Sequence, residues 1–409
     1  MIDYMANEEE ENRRKILEAF SKLALKKSYQ DISLKEISEL AGISIASFYT
    51  YFDSKEDMLR YYIDYSLEHL DIMIKRYIET SLGTPMRIRG LIYLLSTLGE
   101  DERLIAFHRV FREVEFLRKD LASQYYERLI AICNNTIDRE GLQGGSIDES
   151  IVSLSVIGSS EFIYLFRKVF EIGDSIWLDI EVAGDLVLKG IGSGSKPSGI
   201  VVKPPPRLAD IVREDEIYKI LGIPYNKKEI LRATIEILGS KGFKDTKIYE
   251  IMDRAGYSVG MFYKVYRSKE ELLRDLIAVI SKTLRRYLTI CTSDAKDPVE
   301  REVMGTACFL RFIRVNGNIY RIVRESEYIK LEIARTYYEP FMRSYAERIA
   351  KEALAGYLKT YSPESLAIAL MGINHMAGVA LMMLRDFDEK RIVESIAEIY
   401  SGGILGGSR

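Results

Sequence analysis

The 409-residue chain is poor in the residues that staple or punctuate small folds. Its three cysteines, Cys133, Cys291 and Cys308, stand at no metal-ligand spacing. A disulfide framework is therefore not expected, and a reducing cytoplasm is the plain inference. The three histidines, His69, His108 and His375, form no cluster in sequence, so no metal is expected either. Of nine prolines, Pro197, Pro204, Pro205, Pro206 and Pro224 crowd into one stretch beside the Gly/Ser-rich run from Gly190 to Gly199. That stretch reads as a linker, and the rest of the chain is left nearly free of helix breakers. Gln occurs three times while Lys, Arg, Glu and Ile abound, a balance that leans toward a thermophile. The segment up to Asn12 is acidic where a secretory leader would be basic and then apolar, so no leader is expected. A net charge of -3 gives no global attraction to a polyanion, and any nucleic-acid binding has to rest on local charge. No nucleophile–base pair, phosphate loop or ligand set stands out, so neither catalysis nor a cofactor is expected.

What the chain does have is a duplication. Ala41 to Leu59, AGISIASFYTYFDSKEDML, returns without a gap at Ala255 to Leu273 as AGYSVGMFYKVYRSKEELL. Around it, about a third of positions from Arg13 to Arg60 are identical in the second copy. Each copy closes a short helix at an Ala-Gly turn (Gly42, Gly256) and opens another at a serine N-cap (Ser44, Ser258). A longer helix then starts at a capping box, Ser54-x-x-Asp57 or Ser268-x-x-Glu271. Ahead of them, Ile16, Leu17, Phe20, Leu23 and Ala24 form a helical stripe. Ser33 and Glu36 box the start of a helix with Leu34, Ile37 and Leu40 on its apolar face. Helix, short Gly-containing turn, helix is the helix-turn-helix arrangement, whose second helix lies in the DNA major groove. The inward face of that second helix is Phe48 with Ile45 or Phe52.

At Ile37, Ala41, Gly42, Ser44, Ser47, Phe48, Tyr49, Phe52, Ser54, Lys55 and Glu56 the sequence resembles the TetR family of transcriptional regulators, and it does so twice, 214 residues apart. The resemblance implies that Ser47, Tyr49, Tyr51 and Lys55 bind backbone phosphates, with Lys35, Ile45, Ala46 and Thr50 nearest base edges; the capping residues Ser33 and Ser44 are counted in the same DNA-binding set. In the second copy it points to Ser258, Val259, Gly260, Tyr263, Lys264, Arg267 and Lys269, with Tyr249 near the bases. That copy departs from the pattern: Met261 replaces the small hydroxyl residue, Val265 the His or Tyr, Tyr266 the Phe, and Lys247 the N-cap of the helix before the turn. Lys264 and Arg267 restore charge there; the alternative is a module kept for structure. Residues 11–60 carry nine Lys or Arg against eight Asp or Glu, and 225–274 carry eleven against seven, so neither module is a strong cationic patch.

The expected fold is all-α. It comprises a DNA-binding module at 1–60, a helical effector and dimerisation domain at 61–192, a linker at 193–226, a divergent second module at 227–274 and a second helical domain at 275–409. A short helix over 208–221 is expected to dock on the bundle. Arg109, Arg112, Glu113, Glu115, Tyr125, Tyr126 and Glu127 recur 212 residues on as Arg321, Arg324, Glu325, Glu327, Tyr337, Tyr338 and Glu339. Their spacing suits intrahelical ion pairs; a grip on the arm helix or an effector is the other reading. Ser365 to Leu384 holds no charge over 20 positions, long enough to span a bilayer. Asn374, His375, Gly372 and Gly378 within it, and Glu161 in its counterpart, argue instead for a helix buried on all sides, with His375 a buried, satisfied histidine. Ser155, Gly158, Ser159, Ala369, Gly372, Ala377 and Gly378 let such helices approach closely, as in the four-helix dimer bundle that the resemblance implies.

The function expected is a sequence-specific, cytoplasmic DNA-binding repressor. One chain forms an intramolecular pseudo-dimer on an asymmetric double-stranded operator. An apolar or aromatic small-molecule effector binds between the arm helix and residues 104–132, or their copies at 308–346. The alternative is a protein-interaction scaffold on a fold with lost or partial DNA binding.

Overall fold

The structure is a computed structural model that describes residues 2–78, 82–115, 117–137, 147–173, 175–192, 204–205, 219–358 and 362–405. Among these residues the regular structure is helical, with no strand. The linker expected over 193–226 and the helix over 208–221 lie almost wholly outside the described residues.

Helix α1 (Ile2–Ala24) buries Ile16, Leu17, Phe20 and Ala24 at helical spacing. Ser33 and Glu36 complete the capping box that opens α2 (Leu34–Ala41), and Gly42, at φ 72°, closes it. The left-handed turn that this requires is open to glycine at no steric cost. Gly256 repeats it at φ 77°. Then follow α3 (Ile45–Tyr51), α4 (Lys55–Tyr77), α5 (Thr84–Thr97), α6 (Glu102–Val114), α7 (Lys119–Thr136), α8 (Glu149–Tyr164) and α9 (Ile176–Lys189). The second half repeats the order as α10 (Lys228–Lys241), α11 (Ile248–Arg254), α12 (Val259–Val265), α13 (Lys269–Cys291), α14 (Pro298–Ile329), α15 (Leu331–Leu354), α16 (Pro363–Met383) and α17 (Glu389–Gly402). The correspondence is one to one except at α14, which runs through the equivalents of α5 and α6. In the first half Leu98 (φ 50°) and Glu100 (φ 57°) break the chain there; in the second, Asn316 alone leaves helical geometry.

The two halves meet through α8 and α16. Gly158 and Gly372 face each other so closely that a Cβ on either would overlap the carbonyl of the other. The ends of α9 and α17 are tied by backbone bonds, Ile191 N to Tyr400 O at 3.0 Å and Ile404 N to Val187 O at 3.0 Å. By length and composition 149–169 and 363–383 could each cross a membrane, yet 83% of each apolar window is buried inside the protein. They are core helices of a bundle, and their apolar character is spent on each other.

In the second repeat the recurring charges pair along their own helix as their spacing suggests, Arg324 with Glu327 and Arg321 with Glu325, but in the first repeat Arg112 turns to other helices. Arg112 reaches Glu161 and, across the halves, Glu327. Arg324 reciprocally reaches Glu115 at 3.1 Å and Glu161 at 3.0 Å, and pairs with Glu327 at 3.1 Å. Tyr126 donates to Glu115 (2.6 Å) and Tyr338 to Glu327. Residue i of one half contacts j of the other and j contacts i, the reciprocity of a two-fold arrangement. The physical reason is burial: all these groups lie in the core, where an ion needs partners from every side. Arg321 and Glu325 do keep the intrahelical pair, at 2.7 Å.

Two further corrections concern side chains. Cys291 and Cys308 form a disulfide between α13 and α14, against the expectation of unpaired thiols; Cys133 stays free and buried. Leu40, placed on the apolar face of α2, is 51% exposed.

Candidate nucleic-acid interface

In the first module Phe48 is fully buried and Phe52 lies against it, ring centroids 5.6 Å apart. Ile45 is left outward, 44% exposed, which settles the inward face as Phe48 with Phe52. Ser44 accepts from Ser47 N at 2.9 Å and its hydroxyl lies 2.8 Å from that of Ser47, so both hydroxyls sit at the N-terminus of α3. Ala46, Tyr49 and Thr50 are exposed on the same helix, and Lys35 is exposed on α2. Tyr51 is half-buried and accepts from Asn12 at 2.9 Å, so α1 steers its ring. Lys27 and the Ser33 cap hold the Glu36 carboxyl down at about 2, fixing the start of α2.

Lys55 departs from expectation. Its amine donates to Tyr29 O (2.5 Å) and Ile32 O (2.6 Å) and sits 4.2 Å from the centre of the Tyr29 ring. Burial lowers its pKa. The carbonyls left over where the chain turns between α1 and α2 claim the ammonium, because buried backbone acceptors need donors. Lys269 does the same in the second module, to Phe243 O (2.5 Å) and Thr246 O (2.9 Å). Both lysines brace their modules from inside.

In the second module Phe262 and Tyr266 replace Phe48 and Phe52 as buried rings, 5.6 Å apart. Val259, Gly260, Tyr263 and Lys264 are exposed on α12, Tyr249 on α11, and Arg267 just beyond α12. Ser258 stands at the N-cap but makes no side-chain capping bond. With Met261 where Ser47 stands, the paired hydroxyls of the first module have no counterpart.

Three contacts were not foreseen. Glu113 on α6 accepts from Ser28 Oγ (2.6 Å) and Tyr29 N (2.7 Å), and its pKa is raised by burial. Arg109 donates to Leu25 O beside it. At the equivalent place Glu325 on α14 accepts from Phe243 N at 2.7 Å. Each core helix therefore holds the loop of its own module. Lys244 and Asp31 form an ion pair (2.7 Å) that joins the two modules directly. The recurrence of glutamate at 113 and 325 was the available signal for the first two contacts; the third has none.

A family model for bacterial regulatory proteins of the tetR family matches residues 16–62 and again 230–276. The chain carries two TetR-family modules, one in each repeat. The nucleoid occlusion factor SlmA of Vibrio campbellii (strain ATCC BAA-1116) is 26% identical over 166 residues, covering 38% of this chain and 84% of its own. The uncharacterized HTH-type transcriptional regulator YdgC of Bacillus subtilis (strain 168) is 25% identical over 101 residues, 24% of this chain and 52% of its own. Among solved structures, the fatty acid degradation regulator FadR from Bacillus halodurans aligns at 15% identity and a TM-score of 0.38, over 46% of this chain and 97% of its own. The two curated relatives each align with less than half of the chain.

One cavity lies in the second repeat, with a volume of about 510 Å³. It opens between α13, α14, α15 and α16, in the second of the two places considered for an effector. Phe309, Tyr320, Tyr337, Phe341 and Tyr345 line it together with Arg285, Asn374 and His375. His375 is satisfied on one side only. Its Nδ1 bonds the Tyr320 hydroxyl, while Nε2 has no hydrogen-bond partner and lies 3.8 Å from Glu161.

Proposed function

We propose that this DNA-binding regulator is a ligand-responsive repressor in which one chain does the work of a TetR dimer. The reciprocal pairing of Arg112 with Glu327 and Arg324 with Glu115 supports this reading most directly. It is the pattern of a two-fold interface, here within one chain. The proposed division into modules at 1–60 and 227–274 and helical domains at 61–192 and 275–409, joined by 193–226, follows from it.

On DNA, Ser47, Tyr49 and Tyr51 are assigned to phosphates and Lys35, Ile45, Ala46 and Thr50 to base edges. In the second module Tyr263 and Arg267 are assigned to the backbone and Tyr249, Val259, Gly260 and Lys264, the counterpart of Thr50, to the bases. Because the two base-facing sets differ, the operator has unlike half-sites, about one helical turn or a small multiple apart. An effector in the cavity presses on α13 and α14, and Glu325 on α14 holds the second module, so ligand and operator oppose each other.

Selection from random DNA, with light scattering of the bound complex, tests the reading. One chain of 46.9 kDa on an asymmetric site is expected. A perfect palindrome occupied by two chains through their first modules defeats it. The uncapped Ser258 and Met261 favour a second reading, in which the second module is structural and only the first reads DNA. In that case changes from Val259 to Lys264 leave site preference unaltered.

A further inference from the structure

We propose that the cavity of the second repeat takes an aromatic or alicyclic carboxylate, one molecule per chain, with the acid group on Arg285. The inference deepens the effector reading above and rests on it.

The charges around the cavity do not balance. Arg301 pairs with Glu352. Arg348 pairs with Glu302 and, at 2.8 Å, with Glu352. Those two arginines and two glutamates neutralise one another. Arg285 is the surplus cation: among the described residues no carboxylate lies within ion-pair distance of it. Its Nε donates to Ser281 O at 3.3 Å and its Nη1 to Pro340 O at 3.0 Å, so two backbone carbonyls orient the guanidinium and leave Nη2 without a described partner. A partly buried guanidinium held this way presents a fork suited to a carboxylate. Thr289, one turn along α13, and Thr292, just beyond its end, line the same wall, but their hydroxyls already donate to Arg285 O and Leu288 O, so Arg285 is left as the donor for an anion.

The remaining wall is aromatic, and about 510 Å³ suits a molecule of drug or metabolite size. A ligand with a ring or apolar body and one negative charge satisfies both parts. A neutral ligand covers the half-buried Arg285 without supplying a counter-charge, and a cationic one adds repulsion to that.

The first repeat is not built this way. The position equivalent to Arg285 is Asp71, which pairs with Lys75 at 2.6 Å, and the position equivalent to Glu302 is the buried Ile88. Phe107, Phe111 and Tyr125 pack there with ring centroids 3.8 to 5.9 Å apart. Tyr125 is the equivalent of the cavity-lining Tyr337, so rings occupy what the second repeat leaves open.

The test is calorimetric titration of the full chain with 4-phenylbutyrate, 4-phenylbutanol and 4-phenylbutylamine, three probes that differ only in the head group. The carboxylate is expected to bind at one per chain, at least tenfold tighter than the alcohol, and the amine more weakly than either. Arg285→Gln should cost the carboxylate tenfold or more and leave the alcohol near its starting affinity, while Arg285→Lys recovers part of the loss. Equal binding of acid and alcohol, two acids per chain, or no binding of the acid overturns the proposal. If Arg285→Gln fails to fold, the three probes on the unaltered chain decide alone. A gel shift with the selected operator runs alongside. Release by other compounds with no response to the acid sinks the ligand class and leaves the regulator standing, whereas loss of operator binding altogether sinks the regulator.

Discussion

Gly158 and Gly372 hold equivalent places in the two repeats and meet backbone to backbone where α8 crosses α16. Neither side chain nor water fits between them, so the repeats are locked at this point by shape. Gly158→Ala forces the two backbones apart and should cost about 1–3 kcal/mol of stability. Gly305→Ala is the control, since its nearest neighbour, a Thr292 methyl, is 3.9 Å from the added carbon. Urea unfolding of the two variants checks this; equal midpoints would falsify the tight crossing.

Arg112→Ala strands Glu161 and Glu327 in the core without their cation from the first repeat. Removing one partner of a buried pair costs about 3–5 kcal/mol. Because the lost contact joins the repeats, the variant should also unfold in two transitions rather than one. Calorimetry that finds a single transition, shifted by less than a degree, rejects the assignment.

Stability should fall as the medium is acidified below about 6.5. His375 is buried and His108 half-buried, and burial first, then the charges of Arg112 and Arg324, push their pKa values well below the ordinary histidine value. They are neutral when folded and take up protons when unfolded, so acid favours the unfolded chain. The loss begins at the unfolded value and continues down toward the depressed folded values, at most about 1.4 kcal/mol per pH unit for each histidine. His375→Gln should flatten the pH profile of the melting temperature between pH 6.5 and 5. An unchanged slope counts against the buried neutral form.

Basic residues that look alike in sequence should behave differently on DNA. Arg267→Ala, at an exposed position, should lower the salt slope of binding by about one, as the loss of a phosphate contact does. Lys55→Ala should leave that slope in place and instead destabilise the first module by about 1–3 kcal/mol, since Ile32 O loses its donor and Tyr29 O keeps only Ile32 N. Anisotropy titrations across salt, paired with thermal melts, separate the two effects.

The fold was legible because it is written twice. The caps at Ser33, Ser44, Ser54 and Ser268, the Gly42 and Gly256 turns and the apolar stripes are local signals, and local geometry obeys them. Ser258 shows where the pattern fails: the residue is retained, but the capping bond is not. Long-range electrostatics were not legible. Arg112 and Glu115 stand three apart on a helix, and spacing alone assigns them to each other; only the second repeat packed against them supplies Glu327 and Arg324. Lys55 was read as a phosphate donor from the resemblance, and the carbonyls that capture it belong to a turn 23 to 26 residues earlier. Cys291 and Cys308, 17 apart on two helices, carry no spacing signature at all.

The placing of Glu161 beside His375, at equivalent positions of the two repeats, bears on how such a chain can change over generations. The first repeat brings Arg112, Glu115 and Glu161 to the shared core, the second Arg324, Glu327 and His375. Split at the linker, two first halves would bring four carboxylates to two guanidiniums, and two second halves would leave the imidazole opposite another imidazole. Each half has drifted into a shape that the other alone completes. Fusion of this kind works as a ratchet: once the two faces have specialised against each other, neither descends easily to a self-sufficient homodimer, and both recognition helices are released to evolve apart.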